Sequence, residues 1–193
     1  MHQAAIFLVQ TLLGLYVMIL LIRFLLQLTR ADFYNPISQA LVTITQPVVI
    51  PLQKLLPRTG RISLPTLIMA MLVQVVLIAL IFMLSGGAWP SPISVVIWGL
   101  IGLASQLLDI LFFAVLAGII LSWVAPQSYH PATLLLHQIT EPVMAPARRI
   151  LPNLGGLDFS PIVVFIAINL IEMMAIYPLA QASGMPRGLI VGL

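Results

Sequence analysis

No cysteine occurs in this chain, which excludes a disulfide framework, a thiolate metal site and a thiol nucleophile. Charge is almost as scarce: only 7% of the 193 residues are Asp, Glu, Lys or Arg, where a soluble domain carries about a quarter. The net charge is +3, but no extended basic tract follows from it that could track a phosphate backbone, so nucleic acid is not expected as a partner. His2, His130 and His137 show no metal-ligand spacing with one another or with nearby acids. P-loop, nucleophile-elbow and H-E-x-x-H patterns are missing, and nothing around Ser122 or Ser160 marks a nucleophile. The chain reads as a non-enzyme with no cofactor and no metal.

What it has in excess is hydrocarbon. Hydrophobic residues make up 61% of the chain and the mean hydropathy is +1.15, so it cannot cover itself with a water-compatible surface and lipid must be its main solvent. Four stretches, at about 5–28, 64–84, 97–122 and 161–182, are long enough to cross a bilayer, which takes about 20 residues at 1.5 Å each. The third lies somewhere within Ile93–Trp123 and is longer than a crossing requires. The first has no basic leader and exceeds the roughly 7–15 apolar residues of a signal peptide, which predicts a retained helix. The expected fold class is an all-α membrane protein with four transmembrane helices.

Charge is confined to two connections. Arg30, Asp32, Lys54, Arg58 and Arg61 fall between the first and second spans, and Glu141, Arg148, Arg149 and Asp158 between the third and fourth. The middle connection, Ser85 to Pro92, is a short uncharged Gly/Pro turn. The Lys/Arg bias places both charged connections on the cytoplasmic side of the membrane, although Arg187 weakly opposes this.

Shifting the chain by 95 residues against itself exposes a duplication. Pro36, Pro47, Pro51 and Pro57 fall on Pro131, Pro142, Pro146 and Pro152, within 10 identities over the 25 positions from Pro36 to Gly60. Two tandem repeats follow, at 1–86 and 87–193. Each holds an even number of spans, so both should insert in the same orientation. Within each repeat the proline-broken apolar segment predicts an interfacial amphipathic helix of two to three turns. It would end near Thr45 or Thr140, where the chain turns through Pro-x-x-x-Pro. A re-entrant hairpin buried between spans is the alternative.

At Thr140-Glu141-Pro142, Pro146-Ala147-Arg148-Arg149-Ile150-Leu151-Pro152 and Gly155-Gly156-Leu157-Asp158-Phe159-Ser160-Pro161 the chain resembles the YggT family of bacterial membrane proteins, which has chloroplast relatives in plants. The stretch Asp32 to Pro36 resembles the start of the family's first repeat. The first copy departs from the pattern, with Gln46 in place of the acid, Gln53-Lys54 in place of the arginine pair and Arg61-Ile62-Ser63-Leu64-Pro65 in place of the acidic run. The second copy is therefore the better candidate for any shared role. The resemblance implies a multi-span protein tied to osmotic or ionic stress tolerance in enteric bacteria, or to assembly and division elsewhere, with no biochemical activity attached.

Charges inside spans are functional candidates by default, since one at mid-bilayer costs roughly 2.5–3.5 kcal/mol on insertion scales. Arg23 is about 7.5 Å from the end of its helix and is expected to snorkel to headgroups. Asp109 and Glu172 lie deeper, on adjacent antiparallel helices, and could share a proton or a cation. Against this, Asp109 could be satisfied locally by Gln106 or Ser105, or could be interfacial. Gly14 stands opposite Asp109 in the repeat and Leu77 opposite Glu172, which argues against a symmetric pore. Gln74 and Asn169 occupy nearly matching places and suggest interhelical hydrogen bonds. Ala114 and Gly118 form a small-xxx-small pair that could admit a close neighbour.

Lys54, Arg58, Arg61, Arg148 and Arg149 suit anionic lipid headgroups, and Glu141 with Asp158 suggests a charge network beside the arginine pair. Two functions are expected to compete. One is support of osmotic or ion homeostasis as a small channel, transporter or modulator. The other is a scaffold or assembly factor whose Pro/Arg segments bind partner proteins or anionic lipid. Four short spans enclose little volume, which points to a homo-oligomer, a partner membrane protein or the scaffold.

Overall fold

The computed structural model describes residues 2–56, 63–124, 130–150 and 158–190. Its described residues are helical apart from short turns and connections: α1 His2–Leu28, α2 Pro36–Leu55, α3 Leu64–Ser85, α4 Pro92–Val124, α5 Pro131–Ile150, α6 Ser160–Ile171, a π-helical turn Glu172–Ile176, and α7 Tyr177–Ala182. Four helical stretches are long and apolar enough to cross a membrane: α1, α3, α4 and the combined Ser160–Ala182. These are the four expected spans. The third is a 33-residue helix, and Asp109 lies near its middle.

The connecting helices are longer than expected. α2 and α5 each run 20 residues, straight through Pro47 and Pro51 or Pro142 and Pro146, and neither stops at Thr45 or Thr140. A proline inside a helix removes one N–H and frees the carbonyl four residues back. All four prolines are exposed and spaced four apart, so each pair falls on the outer side of its helix. The freed carbonyls then face the surroundings, where water or headgroups can satisfy them, and the helix continues. The inner face of α2 buries Ser38, Thr45 and Val49, and that of α5 buries Leu135, Ile139, Thr140 and Ala147. Each packs on the spans that flank it, as an amphipathic helix does.

α2 and α5 also meet each other at one end of the bundle. Asn35 Oδ1 accepts the Ile37 N–H to cap α2, while Asn35 Nδ2 donates to the Pro131 carbonyl at 2.8 Å. The Asp32 N–H donates to Gln138 Oε1 at 3.0 Å. The chain reaches this junction through Arg30, a non-glycine residue at φ 54 that closes α1 by letting the Ala31 N–H reach back to the Leu26 carbonyl.

At the opposite end the chain turns through Gly86 at φ 65. There the segment after α7 folds back over the bundle. Trp98 Nε1 donates to the Ser183 carbonyl at 3.1 Å, Gln10 Nε2 donates to the Gly188 carbonyl at 2.7 Å, and Leu189 and Ile190 are buried with Leu77, Ile78 and Ile81. Nothing in the sequence pattern signals this return.

Candidate functional site

The polar groups of the spans separate into three places. Arg23 is the first, and it does not snorkel. It is 3% exposed, and its Nη1 donates to Thr45 Oγ1 at 2.6 Å. Its Nε has no partner. α2 lies over this part of α1, so the side chain that would have risen to headgroups meets a helix instead. The Thr45 hydroxyl in turn donates to the Leu41 carbonyl of its own helix. Among the described residues no carboxylate pairs with Arg23.

Gln74 and Asn169 are the second, and they do not behave alike. Gln74 is 1% exposed beside Gly102 of α4, with its Nε2 unpartnered. Asn169 is exposed and donates to the Phe165 carbonyl of its own helix. The expected pair of interhelical hydrogen bonds is therefore absent. The reason is packing: α3 lies against α1 and α4, whereas the Asn169 face of α6 meets no other span. The small residues that bring α4 close to α3 are Gly99 and Gly102, against Met71 and Gln74. At Gly118 a Cβ would meet open space. Gly99 and Gly102 provide the close approach within this chain, and the Ala114/Gly118 pair admits no neighbour at Gly118 among the described residues.

The acids are the third. Phe112 of α4 and Phe165 of α6 pack with ring centroids 4.7 Å apart. Asp109 lies one turn before Phe112, and Glu172 two turns after Phe165, so on antiparallel helices both fall on the same side of that contact. The π-helical turn touches α4, and Glu172 lies within electrostatic range of Asp109. Both are half-buried and neither makes a side-chain hydrogen bond among the described residues. Of the two local partners expected for Asp109, Gln106 donates its Nε2 to the Gly14 carbonyl of α1 at 2.9 Å, and Ser105 is buried.

The π-helical turn has an identifiable cause. Pro178 cannot donate to the carbonyl four residues back, and the Tyr177 N–H reaches five back to the Glu172 carbonyl. The widened turn therefore begins at the acid itself. Asp109 also lines a partly open cavity of about 650 Å³ bounded by α1, α2, α4 and α5.

The motif residues lie outside the spans. On α5 an Arg148 nitrogen pairs with Glu141 Oε2, one helical face along, and both are exposed. Asp158 Oδ1 accepts the Ser160 N–H at 2.9 Å at the start of α6. Burial pushes the Asp158 carboxyl up, but the Ser160 hydrogen bonds and the Arg148 charge outweigh it and hold the group below the usual carboxylate range. Arg149 and Lys54 are exposed at the ends of α5 and α2. Arg58 and Arg61 lie outside the described residues, as does the motif stretch 151–157. No group of three or more His, Asp or Glu side chains that could hold a metal ion occurs among the described residues.

Comparison with known proteins bears on the whole chain. The family model described as CCB3/YggT matches it twice, at residues 2–84 and 97–179. An uncharacterized protein of Pseudomonas aeruginosa is 48% identical over 190 residues, covering 98% of this chain and 96% of that one. An uncharacterized Vibrio alginolyticus protein is 42% identical over 164 residues, covering 84% and 88%. The uncharacterized protein YggT of Escherichia coli K12 is 34% identical over 180 residues, covering 92% of each. No solved structure matches.

Proposed function

The chain belongs to the CCB3/YggT family, and from that premise we propose that it is a non-enzymatic, multi-pass protein of the bacterial inner membrane that supports ion or osmotic homeostasis. It acts as a small transporter or as the modulator of one, with α2 and α5 on the cytoplasmic side, where the Lys/Arg bias puts them. The observation that carries this reading is the placement of Asp109 on α4 and Glu172 on the π-helical turn that packs against it, on the same side of the Phe112–Phe165 contact. Two acids at mid-span are costly unless they bind a proton or a cation. π-Helical turns recur at functional sites because they re-aim one side chain without ending the helix.

Flux of K⁺, Na⁺ and H⁺ through liposomes holding the purified protein tests it. The Asp109→Asn/Glu172→Gln double variant is expected to insert normally and lose at least about tenfold of the flux, since each substitution removes a charge and keeps the shape. Absence of flux from well-inserted wild-type protein would sink the reading.

A second reading, a scaffold that binds a partner protein or anionic lipid, is favoured by one feature. Glu141, Arg148 and Asp158 form an exposed charge cluster on and beside a helix that the Asn35 and Gln138 hydrogen bonds fix to the other half. It predicts that Arg148→Ala with Arg149→Ala is severe in cells while Asp109→Asn is mild.

A further inference from the structure

The cavity beside Asp109 differs in chemistry from an ion path. Its walls are Met, Ile, Leu, Phe and Ala side chains, including Met18 of α1, Leu41 of α2, Phe113 of α4 and Leu136 of α5. Among the described lining residues only Gln106 and Asp109 are polar and none is basic, and the Gln106 amide N–H is engaged by Gly14. Among the described residues one carboxylate therefore supplies the only formal charge in a partly open, apolar cavity of about 650 Å³, within the roughly 300–1,000 Å³ of small-molecule sites.

We propose that this cavity binds a lipophilic organic monocation, an amphiphile whose positive charge is shielded by hydrocarbon or aryl groups. The proposal names a ligand class for Asp109 and rests on the reading of that residue as a cation-binding acid. An inorganic cation would exchange its water shell for several oxygens, as Ca²⁺ does with about 6–8, and the cavity offers a carboxylate and an amide. A shielded organic cation is weakly hydrated and loses little on entry. Its apolar body gains from burial against the walls, its charge answers Asp109, and the ring of Phe113 adds a favourable surface for a cation. A neutral acyl chain would match the walls and leave the carboxylate unanswered, which is the costly arrangement.

Equilibrium dialysis of radiolabelled tetraphenylphosphonium against the full chain in lipid nanodiscs tests this. Saturable binding at one site per chain is expected, weakened about tenfold or more by Asp109→Asn, which keeps the size of the side chain. Leu136→Trp with Leu41→Trp, which narrows the cavity from two walls and leaves Asp109 in place, is expected to weaken binding about tenfold or more while helical content is retained. Absence of saturable binding, or Asp109→Asn binding as tightly as wild type, overturns the proposal. So does competition by neutral triphenylphosphine equal to that by the cation, which would make the cavity a slot for a lipid tail. Flux of inorganic ions without tetraphenylphosphonium binding overturns the site and leaves the transport reading standing. Binding without flux upholds the site and removes that reading.

Discussion

Residues 23 and 118 occupy the same place in the two halves of the chain, and one is arginine while the other is glycine. Around them the halves diverge. In the first, α1 and α3 pack along their lengths, Arg23 ties α1 to α2 through Thr45, and the Thr66 hydroxyl of α3 donates to Gln27 Oε1 of α1. In the second, α4 and α6 touch sparsely, the fourth span widens into a π-helical turn, and the in-span charges are the acids Asp109 and Glu172. The same three-helix module thus serves one half as a closed, cation-pinned unit and the other as a looser unit with acids at its centre. Duplication supplies the frame, and a few unduplicated polar residues decide what each copy can do.

The largest expected effect comes from breaking the pin. Thr45→Val removes the hydroxyl that accepts from the buried Arg23 guanidinium while keeping the side-chain shape, and should cost about 1.5–3 kcal/mol, as for other hydrogen bonds to charged groups. Thr140→Val, at the matching place, removes a hydroxyl that among the described residues bonds only its own helix, the position of Arg23 being taken by Gly118, so about 1 kcal/mol or less is expected. Thermal unfolding of the two variants in one detergent measures the gap, and equal losses would show that Arg23 pins nothing.

A comparable effect separates two glycines of α4. A Cβ at Gly102 would collide with Ile190 and come within 2.9 Å of Gln74 Nε2, so Gly102→Ala should cost about 1–3 kcal/mol as overpacking and loosen the returning C-terminal segment. Gly118→Ala meets nothing within 4 Å and should stabilise by about 0.5–1 kcal/mol through helix propensity. Proteolytic release of residues after Ser183 reports the first, and the unfolding midpoint reports the second.

The smallest effect lies at the start of α6. Asp158 is held below the usual carboxylate range when folded, so the unfolded chain takes up the proton first. Its contribution to stability is present above the unfolded value, about pH 3.9, and is lost as pH falls through the depressed folded value. Asp158→Asn should flatten the acid limb of the stability curve of the second half, and Ser63, its counterpart in the first half, provides no such limb.

Much of this was legible in one chain of letters. The four spans follow from hydropathy and length, and the halves from proline register. The places of Asp109 and Glu172 along their helical stretches follow from counting residues. Arg23 could not be placed this way, because its surroundings depend on α2 continuing through two prolines and folding over α1. The difference between Gln74 and Asn169 depends on which helix face a neighbour covers, and two residues with the same register look identical until that is known.

Sequence alone therefore determined what lipid dictates: helical spans of sufficient length, charge kept mostly to the connections, and a module used twice. Those are local properties, set by transfer free energy and by each helix satisfying its own backbone. The tertiary structure decided the rest. It buried an arginine under an amphipathic helix, brought two distant acids into range, opened a cavity between the halves and folded the chain's last described residues over the far end. Each depends on contacts between residues 22 to 179 positions apart in the chain, and no local periodicity encodes which of those faces will meet.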